Sequence, residues 1–159
     1  LYLFGRTGSW SAWSDAQQAG WSRAWSTPTD AIWQTINVIA SDAYDDRPGW
    51  DIVFGFELVS FAVGLVAVGW LWRRRKWAEL SWIAVQLVAF SLSEWLMSVN
   101  RAVLLWFPVW IIAGELFGHR AASETRRSVQ RGALVAWIAV SVLTMLWWAR
   151  MFYRGQWAS

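Results

Sequence analysis

The run Ser98-Val99-Asn100-Arg101, continuing as Ala102-Val103-Leu104-Leu105-Trp106-Phe107-Pro108, sets one arginine between two long apolar stretches with almost no loop between them. A guanidinium is a planar fork of hydrogen-bond donors that matches phosphate oxygens, and Asn100 and Ser98 stand beside it as further polar groups. Two carboxylates, Glu57 and Glu94, fall in neighbouring apolar stretches near the same end. An ionisable group inside such a stretch costs about 3 kcal/mol on insertion scales, so each one demands a purpose. Two purposes compete for Arg101. It binds the phosphate of a lipid carrier whose tail lies in a bilayer, or it is structural, capping a turn, snorkelling to the interface or pairing with Glu94. Glu57 and Glu94 are open in the same way, between a carboxylate pair for general acid/base work and structural partners inside a helix bundle.

Other polar groups offer less. Gln86 and Ser93, seven residues apart, share a face with Asn100 and form a polar stripe, which either lines a cavity or serves interhelical hydrogen bonding. Asp42, Asp45 and Asp46 in DAYDD are hard-cation ligands by type, but acidic loops beside a membrane are ordinarily solvated and no metal is assigned to them. His119 stands alone in a basic loop. Cysteine is absent, which removes disulfides and thiolate metal sites.

The elements that must position these residues follow from composition. Of 159 residues 57% are hydrophobic and 16% charged, and the apolar residues come in long blocks, which places the chain in the membrane class. The 14 Lys and Arg against 11 Asp and Glu sit between apolar blocks and form no basic face on a soluble domain, so nucleic acid is excluded as a partner. Of seventeen tryptophans several lie at the ends of apolar runs, at Trp50, Trp70, Trp72, Trp77, Trp95, Trp147 and Trp148, where amphipathic rings settle at headgroup level. Four segments approach the ~20 residues that a hydrocarbon core requires: Ile52 to Trp72, Trp77 to Met97, Val99 to Gly118 and Ala133 to Tyr153. Each is expected to be a helix, because lipid offers no partner to an unpaired backbone group. Pro108 interrupts the third span and is expected either to kink it or simply to pack.

Orientation follows from the loops. Arg73-Arg74-Arg75-Lys76, and Arg120, Arg126, Arg127 and Arg131 against Glu124, mark two cytoplasmic connections. Residues 1–51 carry six aspartates and three arginines and fall outside. In that outer segment Trp10, Trp13, Trp21 and Trp25 share one helical face, with the helix ending near Ser26 because Pro28 disfavours helical geometry in its predecessor. A second helix starts with Thr27 as N-cap, Pro28 in the first turn and Asp30 three residues after the cap. Its apolar side is Ile32, Trp33, Ile36, Ile39 and Ala43. Both helices either lie along the membrane surface with aromatic faces inward or pack on the bundle. The expected fold is therefore an all-α polytopic bundle of about four spans over residues 52–159, preceded by outer-face amphipathic helices in 1–51. The opening Leu1-Tyr2-Leu3-Phe4 reads as an apolar segment already under way, so the chain is expected to be part of a longer protein.

Two stretches carry a resemblance. SVNRAVLLWFPVW is similar to the Ser-x-Pro-Arg-aromatic, apolar, Phe-Pro pattern of the PIG-V-like mannosyltransferases, membrane enzymes of the GT-C class, and residues 6–21 resemble the Thr-Gly-Asp, aromatic, Ala-Gln, Trp run of bacterial members. The chain departs from that pattern at Asn100, Ala102 and Ser9, where the family tends to proline, aromatic and aspartate. The resemblance implies an integral, multi-pass protein of a bacterial plasma membrane. It also implies transfer of mannose, or a similar hexose, from a polyprenyl-phosphate-linked sugar to a lipid, glycolipid or surface acceptor; beyond that lipid-phosphate donor no cofactor is assigned. The catalytic base would be an acidic residue upstream of Leu1, leaving this portion inactive alone. Arg101, Asn100, Ser98, Glu94 and Glu57 would form the substrate-binding set, Glu94 positioning the arginine, while helices around Trp13, Trp21 and Trp33 wall the acceptor cleft. Two other classes fit the same residues. One is a transporter or flippase whose pathway runs along Glu57, Gln86 and Glu94. The other is a non-catalytic subunit that binds its partner through the tryptophan-rich outer helices.

Overall fold

The computed structural model describes residues 2–21, 24–41, 49–118 and 124–155. Asp42, Ala43, Asp45, Asp46 and His119 lie outside the described residues. The described chain is all-α, apart from an isolated antiparallel bridge between Trp25 and Ser93. Two compact units run Leu1–Leu105 and Trp106–Ser159.

The first unit holds α1 (Tyr2–Thr7), α2 (Ala12–Trp21), α3 (Pro28–Ala40), α4 (Trp50–Arg73), α5 (Trp77–Ser91), α6 (Val99–Ala102) and a 3₁₀ turn over Val103–Leu105. α3 begins as its sequence dictates. Thr27 Oγ1 accepts the Asp30 backbone N–H at 3.2 Å and lies 2.6 Å from the Asp30 carboxylate, to which it donates. Pro28 occupies the first helical position, where no N–H is needed. α3 packs on α4 and α5 through Ala31 and Thr35, both fully buried, rather than through its aromatic side: Trp33 is 62% exposed and Ile36 is also exposed. Small side chains permit close helix approach, which an indole in the seam would prevent. α2 is shorter than its tryptophan pattern suggests. It ends at Trp21, and Trp25 lies beyond it in the bridge to Ser93, 80% exposed.

α4 is 24 residues long, about 36 Å at 1.5 Å per residue. Its buried residues Val53, Phe54, Glu57, Phe61, Gly64, Ala67 and Leu71 recur every three or four positions and form one stripe. A tight turn joins it to α5. The Arg75 N–H bonds Trp72 O and the Lys76 N–H bonds Leu71 O, each at 3.0 Å, with Arg75 at φ +55°. This is a Schellman closure with arginine at the left-handed position. α5 packs against α4 with Ile83, Leu87 and Ser91 buried.

Two helices are long and apolar enough to cross a membrane, Trp50–Arg73 and the Arg127–Tyr153 part of α8. The other two expected spans are not continuous helices of that length. α5 stops after 15 residues, at Ser91, where a helix to Met97 was expected. The stretch from Val99 to Gly118 divides into α6, the 3₁₀ turn and α7 (Phe107–Gly118). The physical reason is competition for backbone groups: between residues 92 and 100 they bond to distant partners instead of to a helical ladder. Pro108 does not interrupt a helix either. It is the second residue of α7, in the first turn, where its missing N–H costs nothing.

The second unit comprises α7 and α8 (Glu124–Tyr153). The Trp110 and Trp137 rings meet at 5.8 Å. None of the most apolar window of α8 is buried, so apolar side chains such as Val135, Val140 and Leu143 are presented outward.

Candidate functional site

Glu57 sits in the middle of the buried stripe of α4 and is 2% exposed, in a position where a leucine would ordinarily pack. Its two carboxylate oxygens are both engaged. Oε1 accepts the backbone N–H of Ser98 and Oε2 accepts that of Asn100, each at 3.0 Å. A carboxylate on two amides at the mouth of a short helix is a charge-assisted pair of hydrogen bonds. It satisfies donors that α6 leaves without intrahelical partners. Glu57 is thus an anchor for the turn that begins α6, and its oxygens are not turned toward a substrate.

The preceding segment is held from two more directions. Thr35 Oγ1, on the buried face of α3, accepts the Leu96 N–H at 2.9 Å while donating to Ala31 O at 2.8 Å. The Ser26 N–H donates to Leu92 O at 3.2 Å beside the Trp25–Ser93 bridge. The Trp95 ring packs edge-on against Phe54 of α4, centroids 6.3 Å apart. Residues 92–100 are therefore fastened to α3, to α4 and to the chain before α3, which gives an irregular segment a defined path.

That path sets Arg101. Ser98 stands at φ +69°, and its Oγ accepts from Arg101 Nη2 at 2.6 Å, while the arginine itself remains exposed. Its hydrogen-bond partner is thus Ser98 and not Glu94. Among the described residues no ion pair joins Glu94 to Arg101, although Glu94 lies on the same half-buried segment. The expected Gln86–Ser93–Asn100 stripe also fails, because α5 ends at Ser91 and the three share no helix. Gln86 donates to Trp82 O within α5 at 2.9 Å.

Three buried polar atoms on this segment, Ser93 Oγ, Trp95 Nε1 and Asn100 Nδ2, meet no hydrogen-bond partner among the described residues. The nitrogens can only donate and the hydroxyl can do so. With the exposed Arg101 guanidinium on the next residue after Asn100, the segment is rich in donors; the Glu57 carboxylate of α4 is already filled by backbone amides, and the segment's own carboxylate is the half-buried Glu94.

Reading the sequence alone missed Thr35 and Trp82. Thr35 is the polar member of an α3 face whose other buried residue is Ala31, a legible signal. Trp82 donates from Nε1 to Leu105 O at 3.0 Å. It satisfies a carbonyl in the 3₁₀ turn, where the helical ladder is broken, and nothing in the local sequence marks that pairing. No protein-family model, no curated protein and no solved structure matches this chain.

Proposed function

We propose that this chain supplies the carrier-phosphate site of an integral membrane glycosyltransferase, one that moves mannose or a similar hexose from a polyprenyl-phosphate sugar to a lipid-linked or surface acceptor on the outer face. The observation that carries the reading is Arg101, an exposed guanidinium held by Ser98 on a turn that the buried Glu57 fixes to the membrane-length helix α4. A polyprenyl phosphate presents an anion at the end of an apolar tail. A cation anchored beside apolar helices meets both parts. Glu57 and Ser98 position; Arg101 binds. The catalytic base belongs to an acidic residue outside this chain, as the resemblance of SVNRAVLLWFPVW implies.

In this reading the chain crosses the bilayer four times. α4 and α8 do so as continuous helices. α5, about 22 Å long by its 15 residues, completes its crossing through the segment that follows it, and the remaining pass falls within residues 99–118. Broken helices are tolerated at membrane depth where their freed backbone groups find protein partners, as those of Ser98, Asn100, Leu96 and Leu105 do.

The test follows labelled mannose from polyprenyl-phosphate mannose to lipid or protein acceptors, in membranes holding the full protein that carries this chain. Wild type is expected to transfer, and Arg101→Ala to insert normally with turnover lowered about 10²-fold, the scale for removing one preorganised donor. Wild-type turnover in Arg101→Ala ends the assigned role. Absence of transfer from folded wild type across several sugar donors ends the activity itself. The uncovered apolar window of α8 favours a second reading, a non-catalytic membrane subunit. Co-purification of a stoichiometric partner that holds the activity would select it.

A further inference from the structure

The turn between α4 and α5 carries Arg73, Arg74, Arg75 and Lys76 in succession, the three arginines exposed, with Glu79 as the carboxylate in the first turn of α5. Arg75 adopts φ +55° and closes the Schellman motif. That position favours glycine, since the left-handed region crowds a side chain's Cβ against the following carbonyl oxygen. Elsewhere the chain does use glycine for positive φ, at Gly8, Gly49 and Gly155. Among the described residues the non-glycine exceptions are Arg75 and Ser98, and Ser98 is the residue that holds Arg101. A strained residue retained against a cheaper alternative points to a use for its side chain.

The surroundings say what that use is. The Arg74 guanidinium lies 5.1 Å from the centroid of the Trp70 ring, a cation–π distance. Trp72 and Trp77, both exposed, flank the turn and meet edge-on at 5.0 Å. Indoles settle at the headgroup level of a bilayer, so this pair sets the depth of the turn and leaves the arginine row just beyond it. Below it, α4 is long and apolar enough to cross a membrane. We infer that the α4–α5 turn is a binding site for anionic phospholipid, with Arg73, Arg74 and Arg75 on the headgroup phosphate and Trp72 and Trp77 against the upper acyl chains. The occupant is a lipid of the leaflet the turn faces. The charge selects an anion, and the exposed indoles select an anion that carries apolar chains. The inference rests on α4 crossing the membrane and is independent of any sugar transfer. Cations at a helix C-terminus also complement its dipole, but that role by itself produces no preference between lipids.

The test uses the full protein in bilayers containing brominated phosphatidylglycerol or brominated phosphatidylcholine, whose quenching of tryptophan fluorescence gives relative binding constants. Wild type is expected to prefer the anionic lipid. Arg75→Gly is expected to lower that preference about fivefold, the equivalent of the ~1 kcal/mol that one basic residue contributes at an anionic surface, while its unfolding temperature stays level or rises because the strain is relieved. The triple change Arg73→Gln, Arg74→Gln, Arg75→Gln lowers the preference further, and Arg75→Lys, which keeps the charge, retains most of it. Equal binding of both lipids by wild type overturns the inference, as does a preference unchanged in Arg75→Gly. Displacement of the lipid by inorganic phosphate at matched ionic strength would assign the turn to a soluble anion and overturn the lipid assignment.

Discussion

The Glu57 carboxylate bridges the amides of Ser98 and Asn100, 3.0 Å from each, across sequence separations of 41 and 43 residues. This one relationship ties the middle of a buried helical stripe to the turn that presents Arg101. It converts a costly buried acid into the fastening of a candidate site, with both oxygens answered by backbone donors.

Glu57→Gln is expected to destabilise the protein without preventing its insertion. The amide keeps one acceptor oxygen but turns its NH2 group toward the other backbone N–H, leaving two donors opposed. One buried group left without a partner costs about 1–3 kcal/mol, which for a chain of this size corresponds to about 2–4 °C per kcal/mol. Thermal unfolding in detergent measures it, and an unchanged midpoint would show that Glu57 does not fasten the turn.

Ser98→Gly separates stability from function. Glycine accepts φ +69° freely, so the unfolding temperature should hold or rise. The loss of Oγ releases Arg101 from its 2.6 Å hydrogen bond, and turnover in the mannose-transfer assay should fall. Ser98→Ala should lower both. Full activity in a stable Ser98→Gly protein would make the Ser98–Arg101 contact incidental.

Thr35 is expected to matter because it is the buried polar residue through which α3 reaches the segment before α6. Thr35→Val keeps the shape and removes the acceptor of the Leu96 N–H, at a cost of about 1–3 kcal/mol, whereas Thr35→Ser keeps the acceptor and should cost less. Hydrogen exchange at the Leu96 amide reads the difference directly. Equal protection in wild type and Thr35→Val would remove Thr35 from the fastening of this segment.

The absence of cysteine in this chain makes single-cysteine mapping clean. Asp51→Cys at the start of α4 and Arg75→Cys at its end are expected to react with membrane-impermeant thiol reagents from opposite sides. Asp51→Cys should label in intact cells and Arg75→Cys only after permeabilisation. Labelling of both from one side would show that α4 does not cross.

Much of the helical framework was legible because its signals are local. Thr27, Pro28 and Asp30 cap α3 within four residues of one another. The apolar length of α4 and of α8 is written in their composition, and the basic turn at residues 73–76 lies where the sequence places it. The chemical cluster was legible in part, since an arginine, an asparagine and a serine beside two carboxylates in apolar stretches announce themselves by type. What each of them touches was not.

The sequence by itself determined that the chain is helical, that two of its helices are long and apolar enough to cross a membrane and that Arg101 has a polar neighbourhood. The tertiary structure decided the rest, because the deciding bonds are long-range. Trp77 to Gly118 reads as two spans when judged by apolar content, yet Thr35, Glu57 and Ser26 take the backbone groups of residues 92–100 and end α5 at Ser91. α3 turns Ala31 and Thr35 inward instead of its aromatic side because close packing rewards small residues at the seam, a preference no single-helix pattern contains. The left-handed backbone at Arg75 and Ser98 is likewise a product of closure. A chain folding back on itself fixes those dihedrals, and only there does it become visible that an arginine and a serine occupy positions suited to glycine.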